Sequence, residues 1–161
     1  MLLWLIIGGG IIALDQLAKI LVTVFLDGTD CVHVIPYLFD FVYVKNTGAA
    51  FSILSDNTIL LSVISVLFCV AVFVYWYKKR PEHILMKTAL TLLFAGAFGN
   101  AIDRIFRGFV VDFISTAFMD FPVFNVADIS IVFGAIVLIV YMMFFDKEVE
   151  HGEDNSGGSQ S

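Results

Sequence analysis

Charge is scarce in this 161-residue sequence. Only 15% of its residues are charged, 60% are hydrophobic, and the mean hydropathy is +0.94. A soluble domain carries about a quarter charged residues. A chain this apolar is not one that stays disordered for want of surface to bury. Bases are scarcer than acids, 9 against 15, which leaves no basic face for phosphates and excludes a nucleic-acid binder. There are two cysteines, Cys31 in a polar loop and Cys69 in an apolar run. Neither has a CxxC spacing, so both read as packing residues, without a disulfide. Repeats are absent, and the length fits one domain. A membrane protein is the class that remains.

Several catalytic signatures are missing as well. The histidines, His33, His83 and His151, form no HExxH and no pair, which argues against a zinc hydrolase. A Ser-His-Asp triad would have to use His33, and no GxSxG elbow is present. Phosphate-cradling glycine loops are lacking; Gly8-Gly-Gly10 lies inside an apolar run and reads as helix packing. A Ser–Lys pair, Ser52 or Ser55 with Lys45 or Lys19, stays open at this point.

What the sequence does have is four apolar runs near the roughly 20 residues that a membrane-crossing helix needs. They are Leu2 to Leu26, broken by Asp15 and Lys19; Ile59 to Tyr77; Ile84 to Ile102, with Lys87 near its start; and Ile129 to Phe145. The first lacks the basic start and small-residue cleavage site of a signal peptide and reads as a retained span. The fold expected is all-α, four transmembrane helices in one domain over residues 1–145. Two extracytoplasmic links, about 27–58 and 105–124, form a small β-rich part. Phe39 to Val44, aromatic and β-branched, predicts a strand there. Residues 146–161 hold four of the six net negative charges and end in Gly and Ser; a disordered cytoplasmic tail is expected.

Orientation follows from the bases. The link between runs two and three carries Lys78, Lys79, Arg80 and Lys87, whereas Asp27 to Thr58 has only Lys45 and four aspartates. The positive-inside rule puts the former in the cytoplasm, with both termini. Arg104 and Arg107, read here as loop residues, count against this. Tyr75, Trp76 and Tyr77 fit an aromatic belt.

With that orientation, the costly polar residues gather toward the outer side. Charges in a bilayer are expensive and mark function more often than not. Each still has a plainer reading. Asp15 and Lys19, four apart, share a helix face, and neutralising each other is as good a reading as chemistry. Asp103 and Arg104 can be ordinary interface residues. Asp27, Asp30, Asp40, Asp56 and Asp120 read as solvated loop acids. Asp112 stands apart because Phe109-Val-Val-Asp-Phe-Ile114 is apolar on both sides, where an exposed strand would alternate. Asp128 opens an apolar helix; alone, it would be read as an N-cap. Two such aspartates on one side raise the odds of function. Two close carboxyls cannot easily both ionise, so one keeps a proton. The ionised one draws a proton from water while the other polarises a carbonyl, a way to cleave peptides with no metal and no cofactor.

The motifs together resemble lipoprotein signal peptidase (signal peptidase II). The resemblance is carried by Asn46-Thr-Gly-Ala-Ala-Phe-Ser52, Gly99-Asn-Ala-Ile-Asp-Arg104, Val110-Val-Asp-Phe-Ile114 and Phe124-Asn-Val-Ala-Asp128, with Asp15-Gln-Leu-Ala-Lys19 in the first span. It implies an aspartic endopeptidase of the bacterial cytoplasmic membrane, its site facing outward. The enzyme would remove the signal peptide of diacylglyceryl prolipoproteins just before the lipidated cysteine, and globomycin would inhibit it. Asp112 and Asp128 would be the catalytic dyad. Asn46, Gly48, Asn100, Asp103, Arg104 and Asn125 would bind substrate or support the site, backed by Asp15 and Lys19. Partners would be prolipoproteins and membrane lipids, with no nucleic acid and a monomeric enzyme. The sequence departs from the family's habits at Ala18, Ala95 and Phe121. The link from Asp27 to Thr58 is expected to cradle the peptide and close over it. Two rival classes fit four spans, a small ion- or proton-coupled carrier and a non-catalytic assembly subunit. Acids clustered on one side rather than at the midplane disfavour the carrier.

Overall fold

Backbone amides inside a bilayer have no water to bond, so a largely apolar run of this length satisfies them as a helix. The computed structural model, which describes residues 2–28, 31–48 and 57–145, has four such helices. They are α1 (Leu2–Leu26), α2 (Thr58–Lys79), α3 (Ile84–Arg107) and α4 (Val126–Phe144). Three strands accompany them: β1 (Val32–Ile35), β2 (Phe39–Asn46) and β3 (Val110–Thr116). These form one antiparallel sheet in the order β1-β2-β3. Ser52, Ser55, Asp30, Asp56, His151 and the acidic tail lie outside the described residues.

The bundle is built around α3. Its buried face is made of small residues, among them Ala89, Ala95, Ala97, Gly99 and Ala101. Small residues let helix backbones approach closely where no hydrophobic effect drives them together. The other three helices leave large apolar side chains such as Phe25, Ile59, Phe73 and Met143 exposed, a surface suited to lipid. Ala95 is buried without difficulty; Gly96 is where α4 comes closest. A Cβ on Gly96 would run into the Ala127 carbonyl oxygen and lie 2.7 Å from Ile131 Cγ1. Gly96→Ala is therefore expected to lower stability by about 1–3 kcal/mol through overpacking. Thermal unfolding in detergent would measure it, and an unchanged midpoint would show that α4 can simply move away. Of the three glycines in α1 only Gly8 meets another helix, at Thr91; Gly9 and Gly10 face open space, against the packing reading.

One end of the bundle carries the sheet. Val111 and Phe113 of β3 pack with Val22 and Leu26 of α1, and Phe41 stacks edge-on against Phe113 at 5.8 Å. The opposite end joins Trp4 to Trp76 and His83 to Tyr141 and Phe145. The described parts of the two longer links thus lie together, away from the Lys78–Arg80 loop.

Several expected boundaries shift. The third span continues past Ile102 to Arg107, so Arg104 and Arg107 are helical, and the link to α4 begins at Gly108 rather than 105. Charge suggested a loop, but Arg107 Nε lies 3.7 Å from Asp103 Oδ1 one turn back. Gly108, at φ 79°, closes the helix in the left-handed conformation. The fourth span starts at Val126, not Ile129, because Asn125 caps it. The second runs Thr58–Lys79, and the strand predicted to Val44 reaches Asn46. Asp40 is not a loop acid; it sits on β2, bonded to His33.

Candidate active site

β3 sets the site. Its first four residues, Val110 to Phe113, are all buried. Both faces of the strand are covered, which is why its sequence does not alternate. One face holds Val111 and Phe113 against α1; Asp112 points the other way. Phe124 is tied to β3 by its carbonyl, which accepts from Phe113 N at 3.0 Å and Ile114 N at 2.8 Å. That bridge brings Asn125 and the start of α4 beside Asp112.

Asp112 is 2% exposed. Its Oδ1 accepts from Asn125 Nδ2 at 2.6 Å and its Oδ2 from Asn46 Nδ2 at 2.8 Å. Asn46 Oδ1 in turn accepts from Gly48 N at 2.9 Å. Asp128 is not the N-cap of α4. It is the third helical residue, in a capping box with Asn125: Asp128 Oδ2 accepts from Asn125 N at 3.1 Å, and Asp128 N donates to Asn125 Oδ1 at 2.9 Å. Asp128 Oδ1 accepts from Asn100 Nδ2 at 2.7 Å. Asn125 therefore holds both carboxyls, one by its side chain and one by its backbone. Both line a single cleft of about 1060 Å³, with Asn46, Gly48, Asn100 and Arg104.

Beneath the cleft lies a buried ionic cluster. Lys19, 0% exposed, donates to Asp15 Oδ2 and Asp103 Oδ2, each at 2.9 Å, and to Asn100 Oδ1 at 3.0 Å. Asp15 Oδ1 accepts from Ala127 N at 2.9 Å, and Asp103 Oδ2 from Val111 N at 3.3 Å. Asp15 and Lys19 do pair, and they also brace α4 and Asn100. Gly99 leaves room for this, since a Cβ there would lie 2.8 Å from Asp15 Oδ2. Gln16 was not anticipated. Its amide donates to Gly99 O at 3.1 Å, close to both Asp15 and Asp103. Only its place beside Asp15 in the sequence hinted at it. Arg104 Nη2 donates to Gly48 O at 3.1 Å, joining α3 to the chain after β2. Lys45 lines the same cleft, 5.5 Å from the Tyr43 and Phe109 rings; neither it nor Lys19 can be paired with Ser52 or Ser55, which lie outside the described residues.

Burial, and to a lesser degree the negative charge of Asp128, pushes the Asp112 carboxyl up to about 6 from an ordinary 3.8, against the hydrogen bonds of Asn46 and Asn125 and the charge of Lys19. The folded chain thus holds this proton more tightly than the unfolded one. Its contribution to stability is fully present below about 3.8 and is lost as pH rises through about 6. We expect an infrared carboxylic-acid C=O band that disappears as pH rises through about 6 and is missing in Asp112→Asn. A band that the substitution leaves intact would assign the proton elsewhere.

Known proteins match this chain over most of its length. A sequence model of signal peptidase II matches residues 6–144. The lipoprotein signal peptidase of Clostridium acetobutylicum is 39% identical over 147 residues, 89% of this chain and 95% of that protein. That of Enterococcus faecalis is 33% identical over 156 residues, 97% of each. Two bacterial membrane enzymes solved by the in meso method superpose with TM-scores of 0.84 and 0.81. They are 31% and 34% identical, covering 100% and 91% of this chain and 94% and 95% of theirs. Four membrane-capable helices, an Asp-lined cleft and these matches over nearly the whole length converge: the chain belongs to the signal peptidase II family and is a bacterial membrane peptidase of the aspartic type.

Proposed function

We propose that the protein removes signal peptides from prolipoproteins, cutting just before a diacylglyceryl-modified cysteine, with Asp112 and Asp128 as its catalytic pair. The observation that carries this is the shared Asn125, which holds both carboxyls on one cleft. In the reaction the ionised aspartate takes a proton from water, which attacks the scissile carbonyl carbon. The protonated aspartate donates to the carbonyl oxygen. The resulting gem-diol collapses: the C–N bond breaks, the new cysteine amine takes the proton held by the first aspartate, and a gem-diol hydroxyl returns its proton to the second as the carbonyl re-forms. Once one carboxyl is ionised, its negative charge disfavours ionisation of the other, which keeps its proton. Asn46, Asn100 and Asn125 orient the pair. Gly48 and Arg104 line the cleft, and Arg104 Nε, buried and without a hydrogen-bond partner among the described residues, is available to a substrate carbonyl. Asp15, Lys19 and Asp103 brace this layer from below.

The sheet end is assigned to the outer side of the membrane and both termini to the cytoplasm. The basic residues Lys78, Lys79, Arg80 and Lys87 support this. Arg104 and Arg107, which counted against it, are held by Gly48 and Asp103 and do not act as free loop charges. The lipid-anchored cysteine then reaches the cleft sideways from the outer leaflet, past Ile129, Val132 and Phe133. The protein is expected to act as a monomer. Residues 29–30 and 49–56 of the expected cradle lie outside the described residues.

Purified protein should cleave a diacylated lipobox peptide, leave its unlipidated counterpart intact, and stop when globomycin is added. Equal cleavage of both peptides would remove the lipid from the recognition.

A further inference from the structure

Away from the cleft, the β1–β2 hairpin gathers three side chains that no linear motif links. Cys31 and His33 are two residues apart next to and within β1, a spacing that puts side chains on one face. The strand register sets His33 directly across from Asp40, and Asp40 across from Ser115 of β3. The thiol, imidazole and carboxylate atoms all lie within 4.8 Å of one another. His33 Nδ1 is 2.8 Å from Asp40 Oδ1 and 3.9 Å from Cys31 Sγ. Both partners meet the same ring nitrogen.

That detail decides between two readings. In a proton relay the acid and the nucleophile occupy opposite ring nitrogens. Here three donors converge on one point, which is how a cation is held. Bonds of 2.0–2.3 Å to a tetrahedral zinc place ligand atoms roughly 3.3–3.6 Å apart. The two His33 separations bracket that range, and the thiol and carboxylate, within 4.8 Å of each other, need to close by at most about 1.5 Å. A thiolate with an imidazole selects a zinc-like ion over calcium or magnesium. His33 is 75% exposed and open to entry from water, while Asp40, at 17%, is held between two strands. None of the three lines the cleft.

We propose that Cys31, His33 and Asp40 bind one zinc-class divalent cation, with solvent as the fourth ligand. The ion would clip the edge strand β1 to β2, whose far end carries Asn46. Because thiolate and neutral imidazole are the ligating forms, uptake releases protons and weakens toward acid.

Untagged, reduced, full-length protein in detergent is titrated with Co²⁺. The expected result is one equivalent bound with a thiolate-to-cobalt charge-transfer band, which Zn²⁺ abolishes by displacement. Cys31→Ser should remove the band and Cys69→Ser should keep it. His33→Gln and Asp40→Asn should each move the midpoint by at least about tenfold, the smallest loss seen even for an outer-shell partner. No band in the wild type, a band that follows Cys69, or a midpoint that moves less than about tenfold in either hairpin variant overturns the proposal.

Discussion

Asp112→Asn and Asp128→Asn are each expected to lower cleavage of a diacylated lipobox peptide by at least about 10³-fold, within the range for losing a positioned acid or base. The fold should survive. Asparagine keeps the shape of both side chains, and at position 112 it removes a carboxylate that burial disfavours. Some cost remains. Asp112 accepts from two side-chain amides, so an amide in its place sets a donor against a donor at one of them. At 128 the oxygen facing Asn125 N can be retained, but Asn100 would have to turn its Oδ1 toward the new amide and leave Lys19. One mismatched buried bond costs about 1–3 kcal/mol, which a thermal melt resolves. The double variant should fall little below either single one, because groups that act as a unit lose their effect together. Activity that drops only a few-fold in either variant would remove that aspartate from the chemistry.

How much of this could be read beforehand differs between fold and site. All four helices were visible as runs of apolar residues, because a bilayer demands length and little else. The end of α3 was not. Asp103, Arg104 and Arg107 look like loop residues in a line of text, and only partners on α1 and after β2 let them continue a buried helix. Asp112 was legible through its apolar flanks, since a carboxylate set in such a run must be enclosed. Asp128 pointed to its place at the start of a helix, but not to Asn125 as the residue that joins it to Asp112; that link depends on the Phe124 bridge to β3. Gln16 and the Ala127 amide bond of Asp15 depend on how closely α1, α3 and α4 pack, which small residues permit without specifying. The hairpin cluster was hidden for a related reason. Cys31, His33 and Asp40 become neighbours through strand register, not spacing.

Removing Lys19 should have the largest effect on stability. Lys19 is fully buried and is shared by Asp15 and Asp103, both also buried. Lys19→Met keeps most of the volume and deletes the charge. Among the described residues, two carboxylates then face each other with Gln16, two backbone amides and the more distant Arg107 to hold them. Breaking a buried pair in this way costs about 3–5 kcal/mol, a large share of the roughly 5–15 kcal/mol that keeps a domain folded. The loss comes from stranded charge rather than lost packing, so it should be reversible by neutralising the acids. Lys19→Met with Asp15→Asn and Asp103→Asn keeps oxygens for the Ala127 and Val111 amides, and should recover most of the melting temperature. Cleavage should not recover with it, because Lys19 also fixes Asn100, and Asn100 fixes Asp128. Stability restored without activity would place Lys19 in the support of the pair. A triple variant no more stable than Lys19→Met would mean that packing around the side chain, not its charge, holds α1 against α3.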